Sequence, residues 1–191
     1  MEYAFYENEI ITPSKIADAL QKVFHWYVPI IICVGTDATI GDTLGPLVGT
    51  KLKESDVNAY VYGALGKTVT AKEVGVIKNF ISTVHPLSKT LVVDAAIGKY
   101  EDVGKIKISS EGIYPGLGAN KNLPKLGDGS IIGIVSERSD KNNVFMNFTR
   151  LSPVYKMAET IYKGICQYVS NCEQKPVYKS ENGNFCSLPL S

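Results

Sequence analysis

Acidic residues follow two apolar segments of this chain, at positions where they could act together on one bond. Residues 30–34 are all apolar, and the loop after them carries Asp37 and Asp42, whereas Asp94 follows the apolar run of a second segment, residues 89–98. Two carboxylates held close together repel, which raises the pKa of one of them. One carboxylate can then act as a general base on water while its protonated partner acts as an acid. We therefore predict that Asp42 and Asp94 form a catalytic pair.

A purely structural role is the alternative for each acid. Asp42 would cap the helix that follows it, and Asp94 would accept hydrogen bonds from loop amides. For Asp37, an Asx turn within the loop is favoured over binding of a substrate amine or a metal. We expect neither Asp42 nor Asp94 to belong to the apolar core.

The order of the predicted elements gives a way to bring the two acids together. An apolar run without alternation is typical of a strand that is buried on both faces. The sequence predicts strands at residues 30–34, 57–62, 89–98, 103–109 and 131–135, and helices from Pro13, from Leu44, at 70–84 and at 143–169, with Pro153 in the first turn of the last helix or at a kink. Strands that alternate with helices build a parallel sheet, and ligands bind at the carboxyl ends of its strands. Gly35 lies at such an end, so we expect it beside the substrate.

A long loop, residues 114–128, is rich in glycine, proline and asparagine. Loops of this length often carry function. Its backbone amides at Gly118, together with Asn120 and Lys121, could surround a peptide carbonyl and stabilise an oxyanion. A plain connection with solvated lysines is the alternative.

Length and composition limit the classes of function. The 191 residues suit one domain, with a loosely held tail from about Asn171, and the net charge of +1 indicates neither nucleic acid nor an anionic membrane as a partner. We find no apolar run of membrane-spanning length and no secretory signal, so we expect a soluble, cytoplasmic protein. The four cysteines have no zinc-ligand spacing, and Cys33 is expected in the core. The sequence does not indicate an oligomeric state.

Four segments together resemble the YyaC-like spore protease family of spore-forming Gram-positive bacteria. The segments are CVGTDATIGDTLGPLVGTKL, VVDAAIG, YPGLGANKNLPKLGDGSIIGIV and NFTRLSPVYKMAETIYKGI. That family is similar to the germination protease, which degrades small acid-soluble spore proteins, and to the hydrogenase maturation endopeptidases. The resemblance implies a three-layer α/β/α sandwich of the phosphorylase/hydrolase-like type with a mostly parallel central sheet. It also implies a location in the forespore or spore core.

The resemblance places Asp42 and Asp94 at the two acidic positions that these proteases use. The hydrogenase enzymes add a histidine ligand after the second acid, but this chain has no histidine after His85. We therefore expect no cofactor, and if a divalent metal binds at all, we expect it at Asp42 and Asp94. The leading hypothesis is a sporulation-associated endopeptidase that cleaves a protein or peptide, such as a small acid-soluble spore protein. The alternatives are a silent protein that binds a peptide or partner in the same crevice, and a metal-dependent maturation protease.

Overall fold

A single sheet runs through the part of the chain that the structure describes, which is residues 1–6, 12–115, 124–138 and 149–174 of a computed structural model. Its strands are β1 (Glu2–Tyr6), β2 (Ile30–Cys33), β3 (Val61–Tyr62), β4 (Thr90–Gly98), β5 (Lys105–Ser109) and β6 (Gly129–Glu137). The helices are α1 (Thr12–Phe24), α2 (Leu44–Glu54), α3 (Val74–Val84) and α4 (Leu151–Glu173), and a 3-10 turn, Ile40–Asp42, precedes α2.

The strand order is β1-β5-β6-β4-β2-β3. Strands β3, β2, β4 and β6 pair in parallel, whereas β5 pairs antiparallel with β6 and with β1. The sheet is therefore mostly parallel, as predicted. The chain places β3 on one side of β2 and then β4 on the other, which makes the junction of β2 and β4 a topological switch point, where α/β proteins bind their ligands.

Helices cover both faces of the sheet, which confirms the three-layer arrangement. We call the face under α1, α2 and α4 the large face; its core includes Leu20, Leu44 and Ile161, all fully buried. The opposite small face packs under α3, through residues such as Val74 and Ile81. Cys33 lies in the large-face core, as expected.

Several predicted boundaries are wrong in ways that packing explains. Strand β1 is not predicted, because its five residues alternate only between half-buried and exposed positions and depend on pairing with β5. Of the strand predicted at 57–62, only the last two residues pair with β2. Helix α4 begins at Leu151 with Pro153 in its first turn and continues to Glu173, so the predicted tail does not start at Asn171. The remainder of that tail, 175–191, lies outside the described residues.

Within the described ranges, no helix has both the length and the apolar character that crossing a bilayer requires.

Candidate active site

The loop after β2 folds back over the end of that strand. Gly35 has a φ of +141°, and a Cβ at this position would lie 2.2 Å from the backbone oxygen of Asp42. The Thr36 N–H donates a hydrogen bond to the same oxygen, at 3.1 Å. Only glycine fits this backbone conformation and this close approach. The glycine that the sequence places near the substrate thus holds the backbone of Asp42 above the switch point, where the side chain is half-buried.

Asp94 reaches the same place from β4, although it does not lie at the end of that strand. The apolar run stops at Asp94, but the strand continues beside β6 to Gly98, within the range 89–98 predicted from the sequence. The neighbouring β2 stops at Cys33, opposite Val93, so Asp94 lies one residue beyond their shared ladder. On the side of β2 the ladder thus ends just before Asp94, because β2 is the shorter strand.

Asp94 is also a core residue, contrary to expectation. Only 8% of its surface is exposed, and its carboxylate accepts a hydrogen bond from the Ala95 N–H at 2.8 Å. A buried carboxylate is costly to ionise unless enough donors stabilise its charge. A single backbone donor is little support for a buried ionised carboxylate, which favours the protonated form.

Burial raises the pKa of both acids, and repulsion by Asp42 raises that of Asp94 further. Burial raises the pKa of Asp42 to about 6, against a smaller opposing effect of a hydrogen bond from the Thr36 backbone. Burial also raises the pKa of Asp94 well above its ordinary value, and the charge of Asp42 raises it further. The two carboxylates therefore titrate as a coupled pair, in which Asp42 loses its proton first.

Asp37 lies outside this pair and does not form the predicted Asx turn. Its exposed carboxylate accepts a hydrogen bond from the Gly66 N–H at 2.8 Å, so it ties the site loop to the turn after β3. The local turn is made instead by Thr36, whose hydroxyl accepts a hydrogen bond from the Ala38 N–H. Sequence reasoning missed Thr36 and Gly66. Thr36 could have been considered, because a threonine hydroxyl often accepts a hydrogen bond from the N–H two residues later, although this signal is weak. No local sequence pattern identifies Gly66 as the partner of Asp37.

The remaining predicted binding residues, Gly118, Asn120 and Lys121, lie outside the described residues. For a metal, the site offers the carboxylates of Asp42 and Asp94. Among the described residues, no group of three or more His, Cys, Asp or Glu side chains could hold a metal ion. The described donor set thus does not fit a metal centre with three protein ligands.

Comparison with known proteins identifies the family. Residues 4–164 match the family described as "Protein of unknown function (DUF1256)". Over 140 residues the chain is 37% identical to the "Uncharacterized protein YyaC" of Bacillus subtilis. This alignment covers 71% of this chain and 67% of that protein. A crystal structure of a NiFe hydrogenase maturation protease, HycI from Thermococcus kodakarensis, is similar with a TM-score of 0.47 and 21% identity, over 80% of this chain and 99% of that one. That similarity is too low to support an argument on function. The chain belongs to the DUF1256 family.

Proposed function

We propose that this protein is an endopeptidase that hydrolyses a peptide bond with Asp42 and Asp94. The observation that carries the proposal is the pair itself: two carboxylates at the switch point, both with a raised pKa, and one of them raised by the charge of the other. Structural carboxylates more often have a lowered pKa, because they are paired with cations or hydrogen-bonded. Acids shifted upward together in a crevice are typical of a general acid and base.

The difference in burial assigns the two roles. Asp42, with a pKa of about 6, is ionised at neutral pH and is the general base. Asp94 is more deeply buried and keeps its proton, so it is the general acid. Because one Asp94 oxygen already accepts the Ala95 N–H, the other carries the proton that is donated to the substrate carbonyl.

The two carboxyl groups and one water molecule are sufficient to hydrolyse the peptide bond. Asp42 takes a proton from water as the water oxygen attacks the carbonyl carbon, and Asp94 gives its proton to the carbonyl oxygen. In the second step Asp42 passes its proton to the leaving nitrogen as the C–N bond breaks. Asp94 recovers a proton from the intermediate as the C=O bond of the new acid forms, which restores both groups.

We further propose that the substrate is a spore protein in the forespore or spore core. The four segments that resemble spore proteases support a protein substrate in the forespore or spore core, and small acid-soluble spore proteins are the first class to test. No step of this mechanism uses a metal or a cofactor.

The decisive test is to incubate the purified chain, beside Asp42→Asn and Asp94→Asn, with an extract of small acid-soluble spore proteins and to identify the products by mass spectrometry. Either substitution should reduce cleavage by about 10³-fold or more, since it removes a proton-transfer group and the coupling of the pair. The wild-type rate should rise with pH through about 6, as Asp42 ionises.

Asp18→Asn is the matched control, because Asp18 is exposed on α1. It should cleave at the wild-type rate. An Asp94→Asn enzyme with full activity would refute the mechanism. If the wild type cleaves nothing but binds a spore protein through the two acids, the chain is the silent binding protein instead.

A further inference from the structure

Helix α3 carries a row of apolar side chains on its solvent-facing side. Val76, Phe80 and Val84 are 70%, 43% and 52% exposed, and their four-residue spacing aligns them along the helix. Leu87, just beyond the end of the helix, is 88% exposed. The opposite side of α3 is also apolar, because Ile81 packs into the small-face core. A helix that is apolar on both sides is typical of a helix buried within a larger assembly.

The row continues onto the free edge of the sheet. The ring of Phe80 contacts Tyr62 of β3 edge to face, with 5.6 Å between ring centroids. Tyr60, which is 55% exposed, lies against His85 with 4.6 Å between centroids. Strand β3 ends the strand order and is only two residues long. We call Val76, Phe80, Val84, Leu87 and Tyr60 the α3 patch.

The hydroxyl groups of α3 can be buried at low cost, whereas the exposed side chains of Lys78 and Asn79 need to stay in contact with water. The hydroxyls of Ser82 and Thr83 both donate to the carbonyl of Asn79, so they already have partners within the helix. The one charged residue of α3, Lys78, donates its Nζ to the carbonyl of Lys125. The helix therefore offers neither an unpaired hydroxyl nor a charge pattern that would select an oppositely charged partner.

We propose that the α3 patch is the centre of a two-fold symmetric dimer of this chain. Val76 and Val84 lie four residues before and after Phe80, so a two-fold axis at Phe80 would set Val76 of each copy against Val84 of the other. Such self-complementarity is what an isologous interface requires. The α3 patch itself contains no charged side chain, so two copies can meet there without repulsion between like charges in the patch.

The size of the α3 patch fits this occupant. At the 150–250 Å² that an aromatic side chain can bury, Tyr60 and Phe80 alone leave roughly 200 Å² open to solvent. With the three aliphatic side chains the patch reaches several hundred Å², the size of patches that are often functional on single chains. A stable interface buries about 800 Å² on each partner, so the α3 patch would form its apolar centre and the dimer also requires contacts from a polar rim around it.

The test is sedimentation equilibrium of the full chain from low to high micromolar concentration. The wild type should have twice the 20.8 kDa chain mass. Phe80→Glu should raise the dissociation constant by about 100-fold or more, because the two-fold axis brings two such charges together. Leu151→Glu is the control: Leu151 is 51% exposed on α4, and its substitution should leave the mass unchanged. Circular dichroism should show an unchanged fold in both variants.

Cross-linking separates the remaining outcomes. Under oxidation, Phe80→Cys should form a disulfide with its own copy, whereas Leu151→Cys should not. A wild type that stays monomeric at every concentration, or a dimer that Phe80→Glu does not weaken, would overturn the proposal. A monomeric Phe80→Cys variant whose introduced thiol joins Cys186 of the same chain would also overturn it, and would assign the α3 patch to the C-terminal segment instead.

Discussion

The two faces of the sheet differ in how completely helices cover them. Three helices seal the large face, and side chains such as Leu52, Val93 and Ile161 are fully buried there. Among the described residues a single helix, α3, packs on the small face; it buries only Val74 and Ile81, and the rest of its surface is half-buried or exposed. The comparison indicates that the large face provides most of the stability of the described residues.

Asp94 lies on the less completely covered face of the sheet. Side chains alternate along β4, so Ala95, which packs in the large-face core, and Asp94 point to opposite faces. Asp94 thus shares the small face with Val92. A carboxyl on the fully packed large face would be surrounded by apolar groups and closed to substrate. On the small face it is buried enough to raise its pKa, and the ladder with β2 ends just before it.

Replacing a glycine by alanine should change the free energy of unfolding very differently in the two layers of helices, and this is the largest contrast we expect between them. In α2, a Cβ at Gly45 would lie 2.0 Å from the carbonyl oxygen of Val34, whereas a Cβ at Gly75 in α3 meets nothing within 4 Å. Gly45→Ala should lower the free energy of unfolding by more than about 3 kcal/mol, because backbone atoms must move. Gly75→Ala should raise it by about 0.5–1 kcal/mol through helix propensity. Urea unfolding measures both, and a neutral Gly45→Ala would contradict the close packing of α2 on β2.

Truncating one isoleucine on each face compares the cores directly. Ile161 of α4 is fully buried on the large face, and Ile81 of α3 is 6% exposed on the small face. Ile161→Ala should cost about 4 kcal/mol and Ile81→Ala about 2 kcal/mol, because the site under α3 can relax toward solvent. Chemical denaturation at low protein concentration keeps self-association from adding to the second value. Equal losses would show that both faces contribute alike.

The sequence predicts the parallel part of the fold well because that part has strong local signals. The uniformly apolar run at β2 and the helical spacing of α3 and α4 each identify an element without reference to its neighbours. Strand β1 and the true length of β3 depend on partners distant in the chain, and no local pattern encodes them. The six-strand order likewise depends on long-range pairing.

The site shows the same division. Asp42 is predictable because a loop acid between a buried strand and a helix has few structural settings. The sequence places Asp94 at the end of an apolar run, whereas in the structure β4 continues to Gly98 and Asp94 lies one residue beyond the ladder with β2. The Asp37 contact is missed, because its partner, Gly66, is 29 residues away.

Replacing the charge at Asp42 should have a modest effect on stability, and one that depends on pH. The folded state raises the pKa of Asp42 from 3.8 to about 6, so between these values the folded chain binds more protons than the unfolded chain. Stability therefore falls as pH rises from about 4 to about 6. Asp42→Asn removes this penalty and should stabilise the protein at pH 7 by about 1–2 kcal/mol, a value discounted for the half-exposed carboxylate. At pH 4 the gain should be nearly absent.

Asp102→Asn is the control of opposite sign. Hydrogen bonds from Lys105 and Lys107 lower the pKa of Asp102, so its stabilising contribution is present above its unfolded pKa and is lost as pH falls. Its substitution should therefore destabilise at pH 7 and become neutral in acid. Thermal unfolding of both variants at pH 4 and pH 7 should show one gain and one loss that both shrink at the lower pH. If Asp42→Asn instead lost stability at pH 7, the Asp42 carboxylate would be a structural ion-pair or capping group. The assignment of a coupled pair of acids with raised pKa values to the switch point would then be wrong.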